Sequence, residues 1–321
     1  TAAGNFSAAR QAEIAGYIAS HGELVARTAT SGTRLPDELK ARVLNTFLTL
    51  MNLRESLDRG QYRGRQAEWD KLDIPFLSVG NWTGMGLHLR GNTEAFMRSK
   101  SPHKKLRMQN GTHVHPFYSE EGRQDQIRFF DYWLKGVKNG VMDEPPVKLA
   151  IRHGNDKVEW RNENEWPLAR TQWTTWHLHG RTSQLLTAPA QSASTVAFEA
   201  MGDGASFMSP PFQSITEVTG PIAARLFVSS STADADLFVI FRVYTPDLRE
   251  ITFMGAIDPH TPIAQGWLRA SHRKLDAKLS TDYRPYHTHD EQQPLKSGEI
   301  VQLDIELWPT SIVIPARHRI A

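Results

Sequence analysis

At Asp143-Glu144-Pro145-Pro146 the hydrophobic period of the chain changes, and that switch constrains its architecture more than any other feature. Tandem proline cannot continue a helix, because each ring removes an amide donor and crowds the preceding turn. Beyond it, three runs alternate: Ile222, Ala224, Leu226 and Val228; Leu237, Val239, Phe241 and Val243; and Val301, Leu303, Ile305 and Leu307, interleaved with Gln302, Asp304 and Glu306. A period of two is what a strand with one buried face requires. Turn clusters such as Tyr244-Thr245-Pro246-Asp247 separate the strands. Residues 145–321 therefore read as an antiparallel β-sandwich.

Before the prolines the texture is mixed. Leu39, Val43, Leu44, Phe47, Leu48 and Met51 fall at helical spacing behind Pro36, Asp37 and Glu38, and Ala8–Val25 is a weaker helix, so residues 1–65 read as helical. Ile74–Gly80 is a short apolar run ending at glycine, as a buried parallel strand would. A glycine-rich loop follows, then a helix from about Leu87 to Arg98 and a second strand, Lys105–Gln109. Gln124–Lys135 carries Ile127, Phe130, Trp133 and Leu134 on one helical face and stops at Gly136. Strand, helix, strand, helix over residues 66–144 is the grammar of part of an α/β sheet.

Composition excludes several kinds of chemistry. There is no cysteine, so disulfides, thiolate zinc sites and cysteine nucleophiles are ruled out. The net charge is +2 and the basic residues are scattered, which argues against a nucleic-acid partner or an anionic membrane surface. No apolar run approaches the ~20 residues needed to span a bilayer. A start at Thr1 without Met reads as a processed or excised beginning, and the location expected is cytoplasmic.

Three groups of residues carry a resemblance to a known family. The first is Leu72–Asn92, in which Gly80-Asn81-Trp82 follows a core strand. The second is Gly111-Thr112-His113-Val114-His115-Pro116-Phe117-Tyr118 with Arg128–Gly136. The third comprises Asn164-Glu165-Trp166-Pro167, Gly266–Arg273 and Trp308-Pro309-Thr310-Ser311. Together these resemble the C-terminal half of α/β-hydrolases of the cocaine esterase/X-prolyl dipeptidyl peptidase (CocE/NonD) type. The resemblance implies a helical cap segment over 1–65, the C-terminal part of a hydrolase domain over 66–144, and a jelly-roll over 145–321 that lacks its last strands. It implies serine chemistry on a small ester or amide, through an acyl-enzyme and without a cofactor.

On the residues alone His113 reads as a loop histidine bonded to backbone; the resemblance makes it the general base, with His115 its competitor. His113-x-His115 has no evident third ligand, so no metal is expected. Asn81 and Trp82 are expected to line the substrate pocket. Members of the family carry an aspartate two positions after this tryptophan; here the position is Gly84, and Asp70, Asp73 and Glu94 are read as solvated charges rather than substitutes. No Gly-x-Ser-x-Gly occurs, and Gly204-Ala205-Ser206-Phe207-Met208 lacks the closing glycine that a strained nucleophile elbow needs.

The nucleophile is therefore expected on a preceding segment or partner chain tightly associated with this one, with association of identical chains left open. The alternatives are a hydrolase-derived scaffold or binding protein that has lost its triad, and an acyltransferase. His287-x-His289-Asp290-Glu291 reads as a solvated loop, and the tryptophans other than Trp69 and Trp82 as core and junction packing.

Overall fold

The structure is a computed structural model that describes residues 67–112, 114–154, 157–200, 202–255 and 258–321. The helices expected in residues 1–65, and His113, lie outside the described residues. Glu68–Ala321 forms one compact unit.

Strand β1 (Phe76–Asn81) leads through helix α1 (Leu89–Arg98) to β2 (Lys104–Gln109). The one-turn helix α2 (His115–Tyr118) and the longer α3 (Glu120–Lys135) precede β3 (Val147–His153) and β4 (Val158–Glu163). The Ser119 hydroxyl caps α3 by accepting from the Gly122 amide, and Gly136 ends it at φ 69°, the left-handed conformation that glycine adopts without strain. β1, β2 and β3 pair in parallel. The prolines at 145 and 146 sit just before β3, where a missing amide donor interrupts no ladder. One sheet consequently continues through the change of texture.

Beyond β4 come the short β5 (His177–His179) and β6 (Gln184–Leu186), then the long β7 (Thr216–Val228). β8 (Asp236–Phe241), β9 (Val243–Tyr244), β10 (Glu250–Ile251) and β11 (Ala264–Arg269) precede β12 (Val301–Ile314) and β13 (Arg319–Ile320). Among the described residues the main sheet has eight strands: β1-β2-β3-β12-β11-β8 in order, with β4 on β3 and β7 on β12. β12 is its spine. It pairs in parallel with β3 and antiparallel with β7 and β11. β13 closes a separate three-stranded sheet, β10-β9-β13.

Three apolar clusters follow from this layout. Leu89 and Phe96 of α1 pack on Leu106, Met108, Val147 and Leu149. Ile312 and Ile314 of β12 meet Val243, Ile251 and Ile320 of the small sheet. Leu303 and Ile305 meet Leu268 and Leu295. The alternation in β7, β8 and β12 is thus the set of side chains that faces these clusters. The tryptophans divide: Trp166 is buried and Trp176 and Trp308 pack against apolar clusters, as expected, but Trp160, Trp173 and Trp267 are exposed at the surface. There Trp160 lies under the Arg107 guanidinium, 4.4 Å from its ring centroid, and Trp173 stacks on Tyr283 at 4.4 Å. The expected apolar face of α3 also differs. Ile127, Phe130 and Leu134 are exposed, and Phe129 is the aromatic side chain that turns inward.

A methyl group at Gly266 would stand 2.0 Å from the Glu306 carbonyl oxygen, whereas Gly91 in α1 has open space around it. Gly266→Ala is expected to reduce unfolding free energy by about 1–3 kcal/mol. Gly91→Ala is expected to leave it unchanged or raise it by up to about 1 kcal/mol. Urea titration of the two variants checks both signs.

Candidate functional site

β1 and β2 end together, with Asn81 opposite Gln109. Loops leaving the carboxyl ends of parallel strands gather in one place, which is where α/β sheets bind and transform ligands. Here the two loops are tied to each other. The Asn81 side-chain amide donates to the carbonyls of Gly111 (2.7 Å) and Thr112 (3.1 Å). Its oxygen accepts from the Thr83 amide (3.0 Å) and lies 2.8 Å from the Thr83 hydroxyl. That hydroxyl is also 3.0 Å from the Gly111 carbonyl. Both Asn81 and Thr83 are buried. Gly111 has φ 102°, which a side chain would strain, so the chain can turn sharply behind β2.

The next described steps lead into α2. The Thr112 hydroxyl accepts from the His115 amide at 3.1 Å. His113 itself lies outside the described residues. His115 opens α2 and leaves the loop.

The structure separates the two residues expected to line a pocket. Trp82 is fully buried, and its indole N–H donates to the Ala150 carbonyl at 2.7 Å, so it packs the core instead of presenting a face to a ligand. Asn81 points at backbone, as a tether. Sequence reasoning missed Thr83 altogether; the one available signal was an Asn-x-Thr triplet at a strand end. The carboxylates near in sequence stay apart from this loop. Asp70 and Asp73 are exposed. Glu94 is not the solvated charge expected: it is buried, 2.7 Å from Arg284 and 3.4 Å from Arg98, because α1 presses it against the loop after β11. Among the described residues, no three His, Asp or Glu side chains converge as metal ligands. No described helix is long and apolar enough to cross a membrane.

Comparison with known proteins addresses the family. The sequence profile described as the X-Pro dipeptidyl-peptidase C-terminal non-catalytic domain matches residues 139–321, more than half of the chain. The chain belongs to this family. A CocE/NonD family hydrolase from Staphylococcus aureus has the same fold, with a TM-score of 0.80 and 27% identity over 84% of this chain and 50% of that one. The cocaine esterase of a Rhodococcus species is 26% identical over 230 residues, 60% of this chain and 36% of that protein. A Mycobacterium bovis protein whose name suggests serine esterase activity is 26% identical over 243 residues, 64% of this chain and 36% of that protein. The chain thus spans about a third of the length of these curated relatives.

Within the X-Pro dipeptidyl-peptidase C-terminal domain, the loop of His287 and His289 is solvated at His289, Asp290 and Glu291, as expected, but not at His287. His272, buried beside β11, has its Nδ1 3.0 Å from Nδ1 of His289. Arg284 of the same loop reaches Glu94, which draws the loop onto α1 and takes His287 out of water. Asp290 and Glu291 do remain exposed, paired with Lys274. Burial, aided by the neighbouring His289, lowers the His287 pKa to about 4. The unfolded chain then binds the proton more tightly, so stability present above about pH 6.5 is lost as pH falls towards 4. After allowance for partial exposure the loss is about 2 kcal/mol. Urea midpoints measured from pH 7 to pH 4 should fall more steeply in the wild type than in His287→Gln.

Proposed function

We propose that this chain is the histidine-bearing part of a serine hydrolase that cleaves an ester or amide through an acyl-enzyme. In this reading residues 1–65 belong to a helical cap, 66–144 to the C-terminal part of an α/β-hydrolase domain, and 145–321 to a jelly-roll. His113 is the general base, taking the proton of a serine hydroxyl and returning it to the leaving group. One observation carries the reading: the residues before His113 are fixed at the carboxyl ends of the parallel strands by a buried amide from the neighbouring strand. An isolated surface histidine has no need of such an anchor. The hydrolase names of the relatives support the same chemistry.

The serine comes from a nucleophile-bearing segment, in the same polypeptide or a partner, that continues the sheet beyond β1. Among the described residues β1 has β2 as its one ladder neighbour. Ile74, just before β1, is exposed, and so are Ile127, Phe130 and Leu134 of α3. An unpaired strand edge and exposed apolar side chains are what a missing strand layer leaves uncovered. A scaffold without catalysis is the rival reading, and Gly84 favours it, because no carboxylate stands there to orient an imidazole.

The test is a polypeptide carrying this chain together with the nucleophile-bearing segment. A fluorophosphonate should label a serine of that segment, and His113→Ala should cut kcat/KM for a nitrophenyl ester about 10³-fold or more. Turnover unaffected by His113→Ala would transfer the role to another group, and no labelling of a folded protein would favour the scaffold reading.

A further inference from the structure

Three imidazoles meet away from the candidate site, where the loop between β11 and β12 lies on α1. His272 is buried in the short turn Ala270–His272 that follows β11, and its Nδ1 stands 3.0 Å from Nδ1 of His289. His289 in turn lies against His287, with ring centroids 6.0 Å apart. His287 makes a hydrogen bond to the Asp304 backbone of β12, and its Nε2 is buried and finds no partner among the described residues. At His289 the backbone is left-handed, at φ 53°, a conformation that a side chain keeps only where its surroundings hold it. The loop is otherwise lightly anchored. Among residues 273–293 Pro285 alone is buried, so little apolar surface keeps the segment down. A cavity of about 160 Å³ separates part of it from the sheet, lined by Leu275, Ser280 and Pro285 of the loop and by Arg225 and Asp304. The remaining attachments are polar: Arg284 to Glu94, Tyr286 under the guanidinium groups of Arg90 and Arg98, and His289 to His272.

Two ring nitrogens 3.0 Å apart bond only when one carries a proton and the other a lone pair. A neutral pair meets this condition, and so does a pair in which the donor ring alone is charged. A further proton sets two N–H groups and two positive charges against each other. His287, packed on His289, adds a third ring to the same repulsion. The neighbouring carboxylates are already committed: Asp290 and Glu291 to Lys274, Glu94 to Arg284 and Arg98, Glu306 to Arg90, Asp304 to Arg225, and Asp234 to the Ser271 hydroxyl. Arg273 donates to the Ala270 and Gln293 carbonyls and brings one more cation to the turn. Protonation therefore adds charge to a region already rich in guanidinium groups, and moving the rings into water relieves it.

We infer that His272, His287 and His289 form a proton-operated latch, which holds residues 273–293 on α1 and β12 when the rings are largely neutral and releases that loop, with the sheet still folded, when they are charged. The inference goes beyond the hydrolase reading and does not rest on it. Release frees Arg284 from Glu94 and opens the cavity over Arg225 and Asp304. It detaches the C-terminal domain from one face of α1 while α1 stays packed on β1 and β2.

Hydrogen–deuterium exchange of the whole chain, corrected for the intrinsic effect of pH, tests this. The reporters are the amides of Asp276, Thr288 and Gln293, which donate to the carbonyls of Tyr286, Lys274 and Ser271, compared with the amides of β12. Burial holds the His287 pKa at about 4, below that of an open loop, so protection is complete above about pH 6.5 and declines as pH falls towards 4. The expected result is that protection of the three loop amides falls at least about tenfold from pH 7 to pH 5, and stays about 100-fold or more below that of β12 throughout. In a protein carrying both His287→Gln and His289→Gln the fall shrinks to less than about threefold. His179→Gln, on β5, leaves it as in the wild type. A double variant whose loop is unprotected already at pH 7, with β12 still protected, also supports the latch, because the imidazoles then hold the loop closed. Wild-type loop protection that is flat between pH 7 and pH 5, or that equals and follows that of β12, would overturn the inference without reference to any variant. So would a double variant that keeps the full wild-type fall.

Discussion

The pairing of β12 with three strands at once is the constraint on which the rest of the molecule depends. Its first half lies between β7 and β11, and its second half lies between β7 and β3. That arrangement makes a parallel α/β layer and a curved antiparallel layer into one sheet. It also explains why β12 carries inward side chains belonging to two apolar clusters, Leu303 and Ile305 to one and Ile312 and Ile314 to another. A strand with so many neighbours cannot slip by one residue without turning each of those side chains outward.

The junction created by β12 is held by charge as well as by packing. Arg90 of α1 reaches Glu306 of β12 at 2.8 Å, and Glu94, one helical turn on, receives Arg284 from the loop after β11. The guanidinium groups of Arg90 and Arg98 both lie over the ring of Tyr286, at 5.2 and 5.6 Å. Burial keeps the Glu306 carboxyl above its usual range even with Arg90 alongside. Such buried pairs add little net stability, but breaking one partner is costly, so they specify how α1 meets the β-rich part. The consequence for the site is geometric. α1 packs on β1 and β2, whose ends carry the two tethered loops. The X-Pro dipeptidyl-peptidase C-terminal domain is thus connected to the strand ends of the candidate site both through α1 and directly, by the pairing of β3 with β2 and the bond from Trp82 to Ala150.

How much of this could be read from the sequence depended on range. The strands 222–228 and 301–307 were legible because burial on one face writes itself as a period of two. The run 237–243 was legible only to Phe241, since Val243 belongs to the small sheet. α3, β1 and β2 were legible because the glycines that end or follow them are local. Parallel pairing of β3 with both β2 and β12 was not legible. The pairing with β12 joins residues 160 positions apart, such as Arg152 and Ile312, and leaves no local signature. The same limit applies at the site. The resemblance drew attention to Asn81 and Trp82 together, yet adjacent residues on a strand end face opposite ways. One turned to the core and the other to the histidine loop. Glu94 was taken for a solvated group because the arginine that encloses it, Arg284, comes from a distant loop.

The proposed function is a spatial one: it requires the imidazole at position 113 to stand within proton-transfer reach of a serine on the nucleophile-bearing segment. A crystal structure of the polypeptide containing both parts, trapped with a phosphonate on the nucleophile, measures it directly. The account predicts a His113 ring nitrogen within about 2.6–3.2 Å of an oxygen of the trapped serine adduct, with Asn81 still bonded to the Gly111 and Thr112 carbonyls. A His113 ring turned away from the adduct, with another histidine or no histidine in its place, would contradict it.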